Sequence, residues 1–210
     1  MNKKSSSRRT NIDYYNRKVK TRRWFLIVCE GEKTEPNYFR SFPVDPKVIK
    51  LDIKGEGKNP KSLVEKAISL KNDSESDEKD RFWCVFDRDK NPQNPNDSQN
   101  FNSAITLARN NGINVAYSND AFELWYLLHF DFHNTGISRQ RYQNMLTNKL
   151  GHKYQKNSKT IYDELKSRQQ DAIKHAKRLL IEYDRPNPES DNPSTTVHLL
   201  VEELNSFIPD

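Results

Sequence analysis

No long apolar run exists in this 210-residue chain, and none approaches the roughly 18 residues needed to cross a bilayer. The N-terminal stretch "MNKKSSSRRTNIDYYNRKVKTRR" lacks an apolar h-region, which argues against a secretory signal. Cysteine is scarce as well. Cys29 and Cys84 are the only two, they form no C-x-x-C pair, and zinc held by cysteine is excluded. Each lies inside an apolar run, the setting of a buried free thiol in a reducing cytosol. The pattern G-x-x-x-x-G-K-[ST] is absent, so "GEGKNPKS" at 55–62 is not a Walker A loop. There is no H-E-x-x-H motif, no internal repeat, and no low-complexity run beyond the basic N-terminus. Hydrophobic residues make up only 33% of the chain, yet three tryptophans, nine tyrosines and ten phenylalanines supply a core, and wholesale disorder is not expected.

Charge is unevenly spread. Residues 1–23 hold nine Lys/Arg against Asp13 alone, a balance of +8; the whole chain is +6, which leaves −2 for residues 24–210. The chain therefore reads as a nearly neutral domain with a basic arm. Such an arm either contacts polyanions or is simply a solvated tail. In the first case Arg17, Lys18, Lys20, Arg22 and Arg23 are the candidate nucleic-acid contacts.

Residues 24–29 are apolar throughout, the mark of a strand buried on both faces. A helix is expected after Pro36, with Tyr38, Phe39 and Phe42 on it. Strands are expected at 48–54, 82–86 and 113–118, with helices at 61–71, from Phe101 to Gly112, and over "AFELWYLLHF" at 121–130. Strand–helix alternation four times over predicts an α/β fold with a four-stranded, mostly parallel sheet and helices on both faces; the order taken for it is 2-1-3-4. From about residue 138 no strand is evident. A short helix stopped by Gly151, a long one over 160–183 and a last one in "TTVHLLVEELNSFI" are expected there. The division is thus a basic arm (1–23), an α/β core (24–137) and a helical extension packed on the core (138–210).

Two of the strands end in acid. "CEGEKTE" (29–35) puts Glu30 at the end of the first, and "FWCVFDRDK" puts Asp87 and Asp89 at the end of the third. In an open parallel sheet ligands bind beyond the carboxyl ends of the strands, where strand order reverses. Neighbouring strands are about 4.8 Å apart, so with order 2-1-3-4 the two tips can share one cation. Oxygen-only ligation suits Mg²⁺ or Mn²⁺ better than zinc or copper. Acids in loops are common, however, and it is the coincidence of two clusters that carries the expectation. Glu35 at the helix entry is read as a cap for exposed N–H groups more than as a catalyst, with Glu32 beside it in the turn. Lys33 is positioned to stabilise charge on phosphate oxygens, and Arg88 either does the same or balances the carboxylates.

Glu123 is embedded in an apolar helix, where a carboxylate must find a partner. It is a candidate ligand or orienter. Phe122, Trp125, Tyr126 and Phe130 have helical spacing and read as core packing. His129 and His133 are four apart without an acidic partner motif, and core or surface roles are favoured over zinc. Among the lysines and arginines of the extension, Lys149, Lys153, Lys156 and Lys159 either form a solvated face or line a nucleic-acid path.

With both acidic clusters in hand, the sequence resembles the RloB-like family, whose domain is of the Toprim type. The resemblance rests on "IVCEGEKTEPNYF", "VFDRD", "NGINVAYSNDAFELWYLLHF" and "NPSTTVHLLVEEL". Toprim domains carry a glutamate after the first strand and D-x-D after a later one, matched here by Glu30 and Asp87-Arg88-Asp89. The resemblance implies a Rossmann-like core, Glu30 as general acid/base, and Asp87 and Asp89 as Mg²⁺ ligands, with Glu30 at the same ion. It also implies a cytoplasmic prokaryotic protein working beside an AAA- or ABC-type ATPase in anti-phage abortive infection. Glu32, Lys33, Glu35, Asn119 and Glu123 fall in the family-like stretches, and their supporting roles are inferred from position. There is no separate strand-passage domain with a nucleophilic tyrosine, as a topoisomerase needs, and no zinc module, as a primase needs. Asn91 stands where the D-x-D-x-[TV] phosphatases have Thr or Val. Metal-assisted hydrolysis of phosphodiesters in RNA (tRNA included) or DNA is the remaining Toprim chemistry. A non-catalytic subunit that binds nucleic acid or the ATPase is the alternative, and self-association through the extension is left open.

Overall fold

The computed structural model describes residues 22–88 and 97–209. Asp89, Arg17, Lys18 and Lys20 lie outside the described residues. Four parallel strands form the sheet: β1 (Arg23–Cys29), β2 (Ile49–Gly55), β3 (Arg81–Asp87) and β4 (Asn114–Asn119). Their order is β2-β1-β3-β4, as expected, extended at the β4 edge by a two-residue antiparallel strand β5 (Ser194–Thr195). The arrangement is a mixed α/β fold, Rossmann-like in its broad plan. Strand order reverses between β1 and β3, which are paired from Phe25↔Arg81 to Cys29↔Val85.

The apolar runs are continuous because both faces of the sheet are covered. Phe25, Ile27, Cys29, Trp83 and Val85 point into one core; Leu26, Val28, Phe82, Cys84 and Phe86 point into the other. The second core is closed by α2 (Pro60–Asn72) and α3 (Asp97–Asn110) through Leu63, Val64, Ala67, Phe101, Ala104 and Ala108. Helix α2 starts where Asn59 accepts a hydrogen bond from the Ser62 N–H (3.1 Å) and Pro60 fills the first turn. The first core is larger. It holds α1 (Thr34–Arg40), α4 (Glu123–Leu127) and the helices that follow: α5 (Arg139–Leu150), α6 (Ile161–Leu165), α7 (Gln169–Ile181) and α8 (Val197–Asn205). Both cysteines are free and buried on opposite faces, and burial pushes Cys84 up to about 12. No helix among the described residues is long and apolar enough to cross a membrane.

Three local expectations are corrected. The segment 121–130 is helical only over α4, and its flanks are turns. The long helix expected over 160–183 is broken: Lys166–Arg168 forms a 3-10 turn with no buried side chain to hold it in α register, and it separates α6 from α7. The third is β5, which sequence periodicity cannot show in two polar residues. It is made by hydrogen bonds instead. Thr195 Oγ1 donates to the Tyr117 carbonyl (3.0 Å), the Thr196 N–H donates to the same carbonyl (2.9 Å), and the Tyr117 N–H donates to Thr196 Oγ1 (3.0 Å). Gly151 stops α5 as expected, with φ of 76° in the left-handed region.

Candidate active site at the carboxyl ends of β1 and β3

The chain leaves β1 at Cys29 and β3 at Asp87, side by side. One Glu30 carboxylate oxygen (Oε2) accepts the Asp87 N–H (2.9 Å), and the Glu30 N–H donates to the Val85 carbonyl (2.8 Å). The two strand tips are thus tied to each other. The turn after β2 braces the same point, the Gly57 N–H donating to the Glu30 carbonyl (2.9 Å). That is the local purpose of "GEGKNP": it supports a backbone.

A cavity of about 140 Å³ opens there, lined by Glu30, Gly31, Thr34, Glu35, Asp87, Phe122, Glu123, Arg139 and Lys156. Three of its carboxylates are almost fully buried: Glu35, Asp87 and Glu123 are 5%, 7% and 2% exposed. Asp87 Oδ2 accepts from the Phe122 N–H (3.0 Å) and from Arg139 Nη2 (3.0 Å). Its other oxygen, Oδ1, is buried with no hydrogen-bond partner among the described residues. Burial raises Asp87 well above the ordinary carboxylate value, and the charges of Glu35, Glu30 and Glu123 add to that while Arg139 opposes it. Glu35 is raised for the same first reason, burial, and is lowered in part by its own N–H, the Gly31 N–H and Arg139.

Glu35 therefore does more than cap its helix. It turns inward over Gly31, where an added Cβ would collide with Glu35 Oε2; only glycine allows this approach. Glu123 finds the partner its burial demanded. Gln143 Nε2 donates to its Oε1 (2.9 Å), the Tyr154 hydroxyl lies 3.5 Å from the same oxygen, and Arg139 Nε stands 3.9 Å from Oε2. Four residues from beyond 138 thus reach the site, and Arg139, Gln143 and Tyr154 had no individual mark in the sequence. The one available signal was the unpaired acid in an apolar helix.

Other expected residues lie elsewhere. Glu32 and Lys33 are exposed and do not line the cavity; Glu32 faces Gly57. Arg88 points to the opposite side of the sheet, buried with its guanidinium over the Phe101 ring (5.8 Å). Asn119 is buried and donates to the carbonyls of Pro188 (3.0 Å) and Glu189 (3.2 Å), holding the loop before β5. Arg22 and Arg23 sit at the start of β1, about 23–26 Å from Glu30 at 3.3 Å per residue. Arg22 donates to the Pro46 carbonyl and Arg23 lies over Phe207. His129 is buried against Trp125, with Nδ1 at 2.9 Å from the Trp125 carbonyl.

Among the described residues, no three His, Cys, Asp or Glu side chains are grouped so as to hold a metal ion. A Mg²⁺ site needs less than that, since one or two carboxylates are completed by water and substrate phosphates. The buried, unpartnered Asp87 Oδ1 beside Glu30 meets that requirement, and the donor set is oxygen only.

Fold and site together define an α/β domain with a buried acidic pocket at its topological switch point. Residues 25–204 match the family described as RloB-like protein, and the chain belongs to that family. No curated protein and no solved structure matches it.

Proposed function

We propose that this protein is a Toprim-type, Mg²⁺- or Mn²⁺-dependent nuclease that hydrolyses phosphodiester bonds in RNA, tRNA included, or in DNA. The observation that carries the reading is Asp87 Oδ1, buried without a partner in a pocket shared with Glu30, Glu35 and Glu123. A carboxylate oxygen kept bare in such a place costs stability unless something binds it. Asp87 and Glu30 would hold the ion, with Asp89 as a further ligand; when bound, it would act as a Lewis acid on the scissile phosphate. Glu30, anchored to the Asp87 N–H, carries a proton at the nucleophile or the leaving oxygen. Phe122 and Arg139 hold the Asp87 carboxylate through Oδ2, which leaves Oδ1 as the oxygen without a hydrogen bond. Membership of the RloB-like family supports a role as effector of an anti-phage abortive-infection system beside a partner ATPase.

The test is cleavage of tRNA and plasmid DNA by the purified protein, with and without the ATPase, in Mg²⁺ or Mn²⁺. Cleavage abolished by Glu30→Ala and by Asp87→Ala is the expected result. One observation favours a second reading: Arg139 already neutralises Asp87 and Glu123, as in a subunit whose acids only anchor α5. Nucleic-acid binding without cleavage, unaffected by either substitution, would establish that alternative.

A further inference from the structure

Arg139 is committed to carboxylates, but the pocket has a second cation. Lys156 lines it, is exposed, and forms no ion pair among the described residues. We propose that Lys156 is a further catalytic residue, the group that contacts a phosphate oxygen of the bound nucleic-acid backbone; the assignment rests on the nuclease reading above.

Three features support it. The loop that carries Lys156 is exposed and irregular, yet helix α1 pins it. Thr34 Oγ1 donates to the Lys156 carbonyl (2.9 Å), and Asn37 Nδ2 donates to the carbonyls of Asn157 (3.1 Å) and Ser158 (3.3 Å). Tyr154, two residues earlier, reaches Glu123 inside the pocket. These bonds fix where the Lys156 backbone stands. Second, the buried carboxylates repel an incoming phosphate, and a positive group at the mouth lowers that barrier. Third, an ammonium on a flexible stem is a point-charge phosphate binder that needs no fixed fork geometry. Thr34 and Asn37, three apart on α1, stand on adjacent turns just after Glu30, so the loop and the acid are set by one helix.

The experiment measures binding of labelled tRNA and duplex DNA by the full chain in Mg²⁺ across a salt series, alongside cleavage. Lys156→Ala should lower the slope of log affinity against log salt by about 0.7–0.9 and reduce kcat by about 10²-fold. Lys156→Arg should restore the slope. Lys174→Ala, exposed on α7 and outside the pocket, is the charge-matched control and should change neither quantity. An unchanged slope in Lys156→Ala, or wild-type protein that binds neither nucleic acid, overturns the assignment. The expected slope change with no cleavage by any of the proteins would sink the nuclease reading and leave Lys156 as a phosphate contact.

Discussion

Removing Arg139 is the most informative single perturbation of the pocket. Its guanidinium meets Asp87 at 3.0 Å and Glu123 at 3.9 Å, and both carboxylates are buried. Stripping one partner from a buried pair costs about 3–5 kcal/mol. The Arg139 side chain is 30% exposed, so solvent screening brings the expectation down to about 2–3 kcal/mol. For a domain of this size that corresponds to a melting point lower by about 4–12 °C. Arg139→Met keeps most of the stem packing and isolates the charge. The loss must also depend on pH. Asp87 and Glu35 have raised folded-state values, so they bind protons more tightly folded than unfolded. Their favourable contribution is fully present below the unfolded carboxylate range, near pH 4, and is lost as pH rises through the folded values. Arg139 opposes that rise, so its removal should cost little at pH 4 and the full amount at pH 8. Thermal melts followed by circular dichroism across that range measure it, and Asp87→Asn added to Arg139→Met should recover part of the loss. A deficit that is absent, or that is the same at both pH values, would refute the account of the pocket as a carboxylate cluster held by one guanidinium.

Other expectations follow from the same structure. If the pocket takes a divalent ion, Mg²⁺ at 100 times its Kd raises stability by about 2.7 kcal/mol; calorimetry should show this for wild type and not for Asp87→Asn, with chelation reversing it. Gly31→Ala should displace the Glu35 carboxylate and lower stability by about 1–3 kcal/mol, whereas an unchanged melting point would mean that the close approach is unimportant. His129 is lowered to about 4, chiefly by burial, so its contribution is present above the unfolded value near 6.5 and is lost as pH falls toward 4, by about 3 kcal/mol in all; its imidazole resonances should remain those of a neutral ring at pH 5. Glu203 accepts from Arg81 Nε (2.8 Å) and from the Trp83 indole (2.7 Å), so Glu203→Ala should cost about 1–2 kcal/mol and shift the tryptophan emission.

The sheet was legible in the sequence because burial on both faces writes itself as unbroken apolar runs at 24–29 and 82–86. Alternation pointed to a parallel sheet but not to its strand order, while Glu30 and Asp87 followed from acids at the ends of those runs. The other half of the pocket was hidden for a physical reason. Arg139, Gln143 and Tyr154 come from polar segments in which charged residues are abundant, and nothing local separates a residue that reaches Glu123 from one that faces water; Lys156 was one of four lysines with the same two open roles. Glu35 was misleading in a similar way: its place at a helix entry fits a cap, whereas its burial and its close approach to Gly31 show that it folds inward. Strand β5 left no trace, since two polar residues have no period.

That short strand bears on how the polypeptide comes to be built. The outer border of β4 is covered by Ser194 and Thr195, and Thr195 follows its partner Ser118 by 77 residues. Until they arrive, β4 has an unsatisfied row of amide groups, and such a row is a template for joining a neighbouring nascent molecule. Vectorial synthesis thus leaves the sheet open at one side after β4 has been made, until the segment that carries β5 has followed it.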